Sequence, residues 1–188
     1  MAKTVFDKIL DTTTGPKSFN YFKNQVDKIT SPGARALINQ GKATIRPKYG
    51  VMNLFGYDPK LKQVLPLYDR FPLIFPIEPA KGGFYGLNLH YLNYKPRALF
   101  LDELMATAPA KITDKSRIRA RYKLLKGVRR YKEFKPCFKH YLSKHVASRI
   151  SRVPMTDWEI AIFLPTEQFK KKGKQAVWTE SAKIARRA

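Results

Sequence analysis

Apolar and polar residues alternate most cleanly between Gly82 and Leu92. In GGFYGLNLHYL, Tyr85, Leu87, Leu89 and Tyr91 fall on one side and Gly86, Asn88 and His90 on the other. That period of two predicts a strand with one buried face. Gly82-Gly83, just before it, supplies the positive backbone angles of a tight turn. Leu73 to Ile77 is short, apolar and bounded by prolines, so it predicts the partner strand of a hairpin. Pro72 and Pro76 donate no ladder bonds, which places that strand at an edge or on a bulge. Val51 to Tyr57 predicts a third strand, with Val51, Asn53, Phe55 and Tyr57 on one side and Met52 and Leu54 on the other. Asp58-Pro59 ends it in a turn, and Ala43 to Arg46 opens the unit. Short, aromatic-rich strands this close together predict a small antiparallel β-sheet or a partly closed, SH3-like barrel.

Elsewhere the period is helical. Ser31-Pro32 reads as a cap followed by proline at the first helical position, predicting a short helix from Pro32 to Gln40 with Gly41 as its stop. Lys95-Pro96 starts another, with Ala98, Leu101, Leu104 and Met105 on its buried side and Ala108-Pro109 at its end. Ile118, Tyr122, Leu125 and Val128 share a face behind Thr113 as cap. Phe134, Phe138, Tyr141, Val146 and Ile150 predict a further helix entered near Pro136; both have basic opposite faces. Thr156-Asp157-Trp158-Glu159 fits a capping box, opening a short helix stopped at Pro165. The predicted class is α+β, a sheet with flanking amphipathic helices and a basic C-terminal tail. Its parts are an N-terminal helical arm (1–41), a β-sheet core with covering helix (42–110), a basic helical region packed on the core (111–169) and the tail (170–188). In the tail Trp178 is the one large aromatic, a candidate anchor.

Composition changes the picture through charge. Hydrophobic residues make up 44% of the chain, enough for a core, but Lys+Arg number 37 against 14 Asp+Glu, a formal charge of +23. Repulsion on that scale calls for counter-charge from nucleic acid, or from an acidic membrane surface or partner. More than half of the excess lies between Lys111 and Arg152, where Asp114 and Glu133 are the only acids. The candidates for nucleic-acid or polyanion contact are Arg117, Arg119, Arg121, Lys123, Lys126, Arg129, Arg130, Lys132, Lys139 and Lys144, with Lys170, Lys171 and Lys172 in the tail. Such side chains displace counterions from phosphates. A solvated helix face is the plain alternative, but this one lacks the balancing acids. No zinc-finger spacing or RNA-recognition aromatic motif appears, so binding is expected to be non-specific in sequence.

Other chemistry is thinly represented. His140 and His145 are five apart, about 140° around a helix, and do not converge on one metal. With one cysteine, Cys137, there is no internal disulfide and no recognisable zinc site. Cys137 reads as a buried structural thiol rather than as half of a thiol–base pair with His140. The aromatics Tyr49, Phe55, Tyr57, Tyr68, Phe71, Phe75, Phe84, Tyr85 and Tyr91 read first as core, and second as platforms for bases. Asp58, Asp69 and Glu78, with Lys60 and Lys81 nearby, are the acids a metal-dependent nuclease would gather, yet they read equally well as turn residues. No phosphate-loop or nucleophile-elbow pattern is present. The N-terminal MAKTVFDKILDTTTG has no secretory apolar run, and no stretch reaches the roughly 18 apolar residues of a membrane span.

The phrases FGYDPK, LPLYDRFPLIFPIE, GGFYGLNLHYL, FKPCFKHYLSKHVASRI and DWEIAIFLPTEQFKK, with VWTES beyond them, resemble the small basic virion proteins of T-even-type myoviruses. That family includes DNA-end protectors. The resemblance covers most of Val51 to Ser181. It implies a non-enzymatic structural protein of a contractile-tailed phage, made in the bacterial cytoplasm and carried in the virion. It implies other virion proteins as partners, contact with the terminus of double-stranded DNA, and no catalytic motif, cofactor, metal or membrane. A purely structural neck or baseplate subunit, its lysines on acidic protein surfaces, is the alternative.

Overall fold

The centre of the molecule is a hairpin, β4 (Leu73–Ala80) and β5 (Gly83–Asn88), joined by a two-residue turn. Residues 42–106, 122–155, 158–162 and 164–187 are described by the computed structural model used here. Gly82 sits at φ +74°, the left-handed angle the turn needs. Gly83 has a different reason to be glycine. A Cβ there would stand 1.8 Å from the carbonyl oxygen of Tyr141 on the next strand.

The main sheet adds β1 (Lys42–Thr44), β2 (Asn53–Leu54), β6 (Phe138–Leu142) and β7 (Ile150–Arg152), in the order β1-β7-β2-β4-β5-β6. Every pairing is antiparallel. A separate ribbon pairs β3 (Tyr68–Asp69) with β8 (Phe169–Lys170). The α+β class with a small antiparallel sheet therefore holds.

Of the two expected accommodations for proline, an edge or a bulge, the chain uses the bulge. Register shifts between Pro76 and Glu78, but β4 is an interior strand between β2 and β5. Pro76 is tolerated because β2 reaches only Leu73 and Ile74. Its carbonyl meets Gly50 N on that side, so the missing N–H points where no ladder runs.

Both faces of the sheet are covered. Met52, Leu54, Leu73, Phe75, Ile77 and Leu87 join one core with Phe100, Leu101 and Leu104 of α1 (Tyr94–Ala106), and with Leu125, Val128, Phe134 and Trp158. Phe55, Tyr57, Ile74, Phe84, Tyr141 and Ile150 form a second cluster on the other face. Phe55 and Tyr141 meet edge to face at 5.4 Å and 83°, while Phe84 and Tyr141 stack. Each buried ring contributes about 1.5–3 kcal/mol.

α1 begins where expected. The Asn93 side chain accepts from Lys95 N at 3.1 Å, and Pro96 occupies the first turn. Helical residues 122–128 form α2, α3 is Trp158–Ala161, and α4 is Lys174–Arg187. The basic tail is thus largely helical, and it packs through Val177 and Ser181. No helix among the described residues is long and apolar enough to cross a membrane.

Three expected elements differ. The helix predicted over Phe134 to Ile150 is replaced by a 3-10 helix (Lys132–Cys137), β6, a short 3-10 turn (Ser143–His145) and β7. Pro136 interrupts the helical ladder, and pairing with the open side of β5 outweighs the amphipathic period. The strand predicted to run to Tyr91 stops at Asn88. There the Asn88 side chain accepts from His90 N at 3.0 Å and caps a 3-10 turn, Leu89–Tyr91. The Val51–Tyr57 strand shrinks to Asn53–Leu54, followed by a single bridge from Tyr57 to Val146. The predicted helix at Pro32–Gln40, the caps Thr113 and Thr156, and the stop at Ala108-Pro109 lie outside the described residues.

Candidate nucleic-acid interface

Arg117, Arg119 and Arg121 lie outside the described residues. Lys123 and Lys126 project from α2 and are exposed; the Lys126 ammonium stands 5.1 Å over the Tyr122 ring. Arg129 and Arg130 follow in the turn, and Lys132 opens the next 3-10 helix, all three exposed. Lys144 is exposed beyond β6, and Lys170 is exposed on β8.

Some candidates are already engaged. Arg129 pairs with Glu78 at 2.8 Å and lies 5.6 Å over Tyr85, whose ring meets that of His140 at 5.0 Å. The fold thus brings the turn after α2 against β4 and β5. Lys171 donates to the carbonyls of Gln63 and Leu65 at 2.7 and 2.6 Å, tying down the turn beyond Pro59. Lys172 pairs with Glu180 at 2.6 Å. No carboxylate among the described residues lies within ion-pair reach of Lys123, Lys126, Arg130, Lys132, Lys139, Lys144 or Lys170.

Two open depressions adjoin this surface and share Tyr57 and Tyr68. The larger, about 650 Å³, has Lys62, Arg70, Ser148 and Lys170 in its lining. The smaller, about 380 Å³, runs along β6 and is lined by Leu61, Tyr68, Tyr91, Phe138, Lys139 and His140 among others. Here Lys139 is half-buried, its ammonium 4.0 Å over the Tyr91 ring. Burial lowers its pKa, with attraction to Cys137 and Glu180 offsetting part of the effect. Burial also raises the Tyr91 phenol well above its ordinary value. Lys62 and Arg70 escaped the sequence reading because they sit outside the basic run. The signal that bore on them was LKQVLPLYDR, where apolar residues interleave with cations.

Behind the depressions lies a buried polar cluster that periodicity could not show. Asp69 Oδ2 is 2.6 Å from His90 Nδ1, and His90 Nε2 is 3.1 Å from Thr166 Oγ1. Asn88 Nδ2 donates to Asp69 Oδ2 and to the Tyr141 hydroxyl, both at 3.1 Å. Phe71 N and Gln168 N donate to Asp69 Oδ1. Burial alone would raise the Asp69 pKa. The His90 imidazole and these hydrogen bonds outweigh it and hold the carboxyl below its ordinary value. Arg97, fully buried, donates to the carbonyls of Leu92, His90 and Ile162 and lies against the rings of Tyr94 and Trp178. Trp178 Nε1 donates to the His90 carbonyl at 2.8 Å, so it does anchor the basic tail. Carboxylate, imidazole and hydroxyl stand in the order of a hydrolytic relay. All three are buried, and neither depression is lined by His90 or Thr166. Their role in the fold is to clamp β3, β5 and the 164–178 segment together.

The acids weighed for a nuclease do not converge. Asp69 is committed to His90, Asp58 pairs with Lys62 at 2.8 Å, and Glu78 pairs with Arg129. Among the described residues no three His, Cys, Asp or Glu side chains group as a metal site. Cys137 is buried as expected, its thiol pushed up to about 12 by burial.

Residues 10–184 match the family described as Phage T4 terminal DNA protecting protein. The chain belongs to that family. The terminal DNA protecting family match takes in both depressions, the basic segment and the buried cluster, and it extends the resemblance seen over Val51–Ser181 back to residue 10. No curated protein and no solved structure is significantly similar to the chain.

Proposed function

We propose that this protein shields the terminus of linear phage DNA by covering it, without catalysing a reaction. The observation that carries the reading is the set of exposed cations on α2 and beyond it with no carboxylate among the described residues in ion-pair reach: Lys123, Lys126, Arg130, Lys132 and Lys144, with Lys170 on β8. They come from separate elements of one fold whose family is described as terminal DNA protecting. Arg117, Arg119 and Arg121 extend the run in sequence. Arg129, Lys171 and Lys172 join it once their present partners are exchanged for phosphate. Such a surface grips the backbone and reads no sequence.

The protein is expected to act in the virion, after synthesis in the host cytoplasm, beside other virion proteins. The test is protection of linear duplex DNA from an exonuclease, with binding followed over a salt series. Neutralising about six phosphates predicts a log–log salt slope near −5. Protection that fades along that slope supports the reading. Absence of both affinity and protection at low salt overturns it, and points instead to lysines that meet acidic protein surfaces, as Arg129 meets Glu78.

A further inference from the structure

An end of duplex DNA differs from its interior in two respects. The last base pair has an uncovered flat apolar face, and a strand stops at a terminal phosphate or hydroxyl. Lysines spread over a surface detect neither, because phosphates are alike along the whole duplex. The depression along β6 offers a complement to both. We propose that it holds the terminal nucleotide of the DNA, with Tyr68, Phe138 and Leu61 against the base and Lys139 toward the terminal phosphate. The proposal rests on the DNA-end reading above and assigns the step that tells an end from an interior.

Three observations carry it. The volume, about 380 Å³, falls within the range of roughly 300–1,000 Å³ typical of small-ligand sites. Lys139 is drawn into an aromatic recess with no carboxylate among the described residues in ion-pair contact with it; Glu180 attracts it only from beyond that distance. Asp69 also lines the recess, but its two oxygens are taken by Phe71 N, Gln168 N, Asn88 and His90. A half-buried ammonium lying on a ring, in a residue that lines an open recess, is suited to receive an anion. Finally, Leu61 and Val64, in the turn beside the recess, are 58% and 75% exposed. Large apolar side chains beside exposed Lys60 and His140 serve no purpose for phosphates. They do suit the face of a base, on which stacking is indifferent to sequence.

The test compares blunt-ended linear duplex with a closed dumbbell of the same length, at one salt concentration, using the full chain. Wild type should prefer the open-ended DNA by about tenfold. Leu61→Ser, at an exposed position, and Lys139→Met, which keeps an unbranched side chain without its charge, should each erase most of that preference. Their affinity for the dumbbell should fall far less than their affinity for the open-ended DNA. Removing the terminal phosphates should mimic Lys139→Met and leave the Leu61→Ser effect in place. Equal binding of both DNAs by wild type overturns the proposal while leaving the DNA-end reading open to its own protection assay. So does an equal loss on both DNAs in the two variants. If wild type binds neither DNA at low salt, both readings fall together.

Discussion

Asp69 Oδ2 lies 2.6 Å from Nδ1 of His90, and both side chains are shut away from solvent. The pair joins a strand of the small ribbon to the 3-10 turn after β5, so its charge state acts directly on the fold. Because the folded Asp69 pKa is below the ordinary 3.8, the group favours the folded state above that value. The contribution fades as pH falls through the lowered folded value. Asp69→Asn should destabilise the protein by about 3 kcal/mol at neutral pH, since His90 and two backbone N–H groups lose a charged acceptor. Denaturant unfolding of both proteins from pH 7 to below 3.8 checks this. The gap between them should narrow as acid is added.

Arg97 is a second sensitive point. Arg97→Met keeps much of the volume but strands the carbonyls of Leu92 and Ile162 in the interior, while that of His90 keeps only Trp178. A loss of about 3–5 kcal/mol is expected, from unpaired buried polar groups on the site of a removed charge. Thermal unfolding measures it. Lys123→Gln, on the exposed face of α2, should stay within about 0.5 kcal/mol of wild type.

Two glycines should respond in opposite directions. Gly83→Ala forces the β5–β6 pairing apart, because the new methyl carbon meets the Tyr141 carbonyl at 1.8 Å. A cost of about 3 kcal/mol is expected from such overpacking. Gly127, in α2, has open space where its Cβ would stand. Gly127→Ala should stabilise the helix by about 0.5–1 kcal/mol. Midpoints of chemical unfolding decide both.

Cys137 should resist a thiol-labelling reagent in the native protein. Its sulfur is buried and its pKa is pushed up to about 12, so thiolate is scarce at neutral pH. One equivalent should label once denaturant is added. Rapid native labelling, followed by mass spectrometry, would contradict the packing described here.

The hairpin, the bulge, α1 and the burial of Cys137 were legible because each follows from a local signal: alternation, proline, a capped start, one lone thiol. The sequence reading went wrong where a distant partner decided. Phe138 to Leu142 carries a helical stripe when read alone, yet the empty side of β5 recruits it as a strand. Asn88 ends its strand through a side-chain bond that alternation cannot register. The cluster around His90 was invisible for the same reason. Asp69, His90, Arg97, Thr166 and Trp178 are scattered through the sequence, and only the folded chain makes them neighbours. The charge run was conspicuous, but the recess that Lys139 enters is built by residues from the turn after Pro59 and from β5 and β6.

The bond from Trp178 to the His90 carbonyl also bears on how the protein is made. A ribosome delivers His90 and Arg97 long before Ile162, Thr166 and Trp178, which complete their hydrogen bonding. Before residue 166 has emerged, the Arg97 guanidinium and the His90 imidazole each lack a partner, and until residue 178 the His90 carbonyl lacks its indole donor. Closure of this interior should therefore come late in synthesis, and a chain cut short before these residues should be prey for host proteases rather than a smaller working copy.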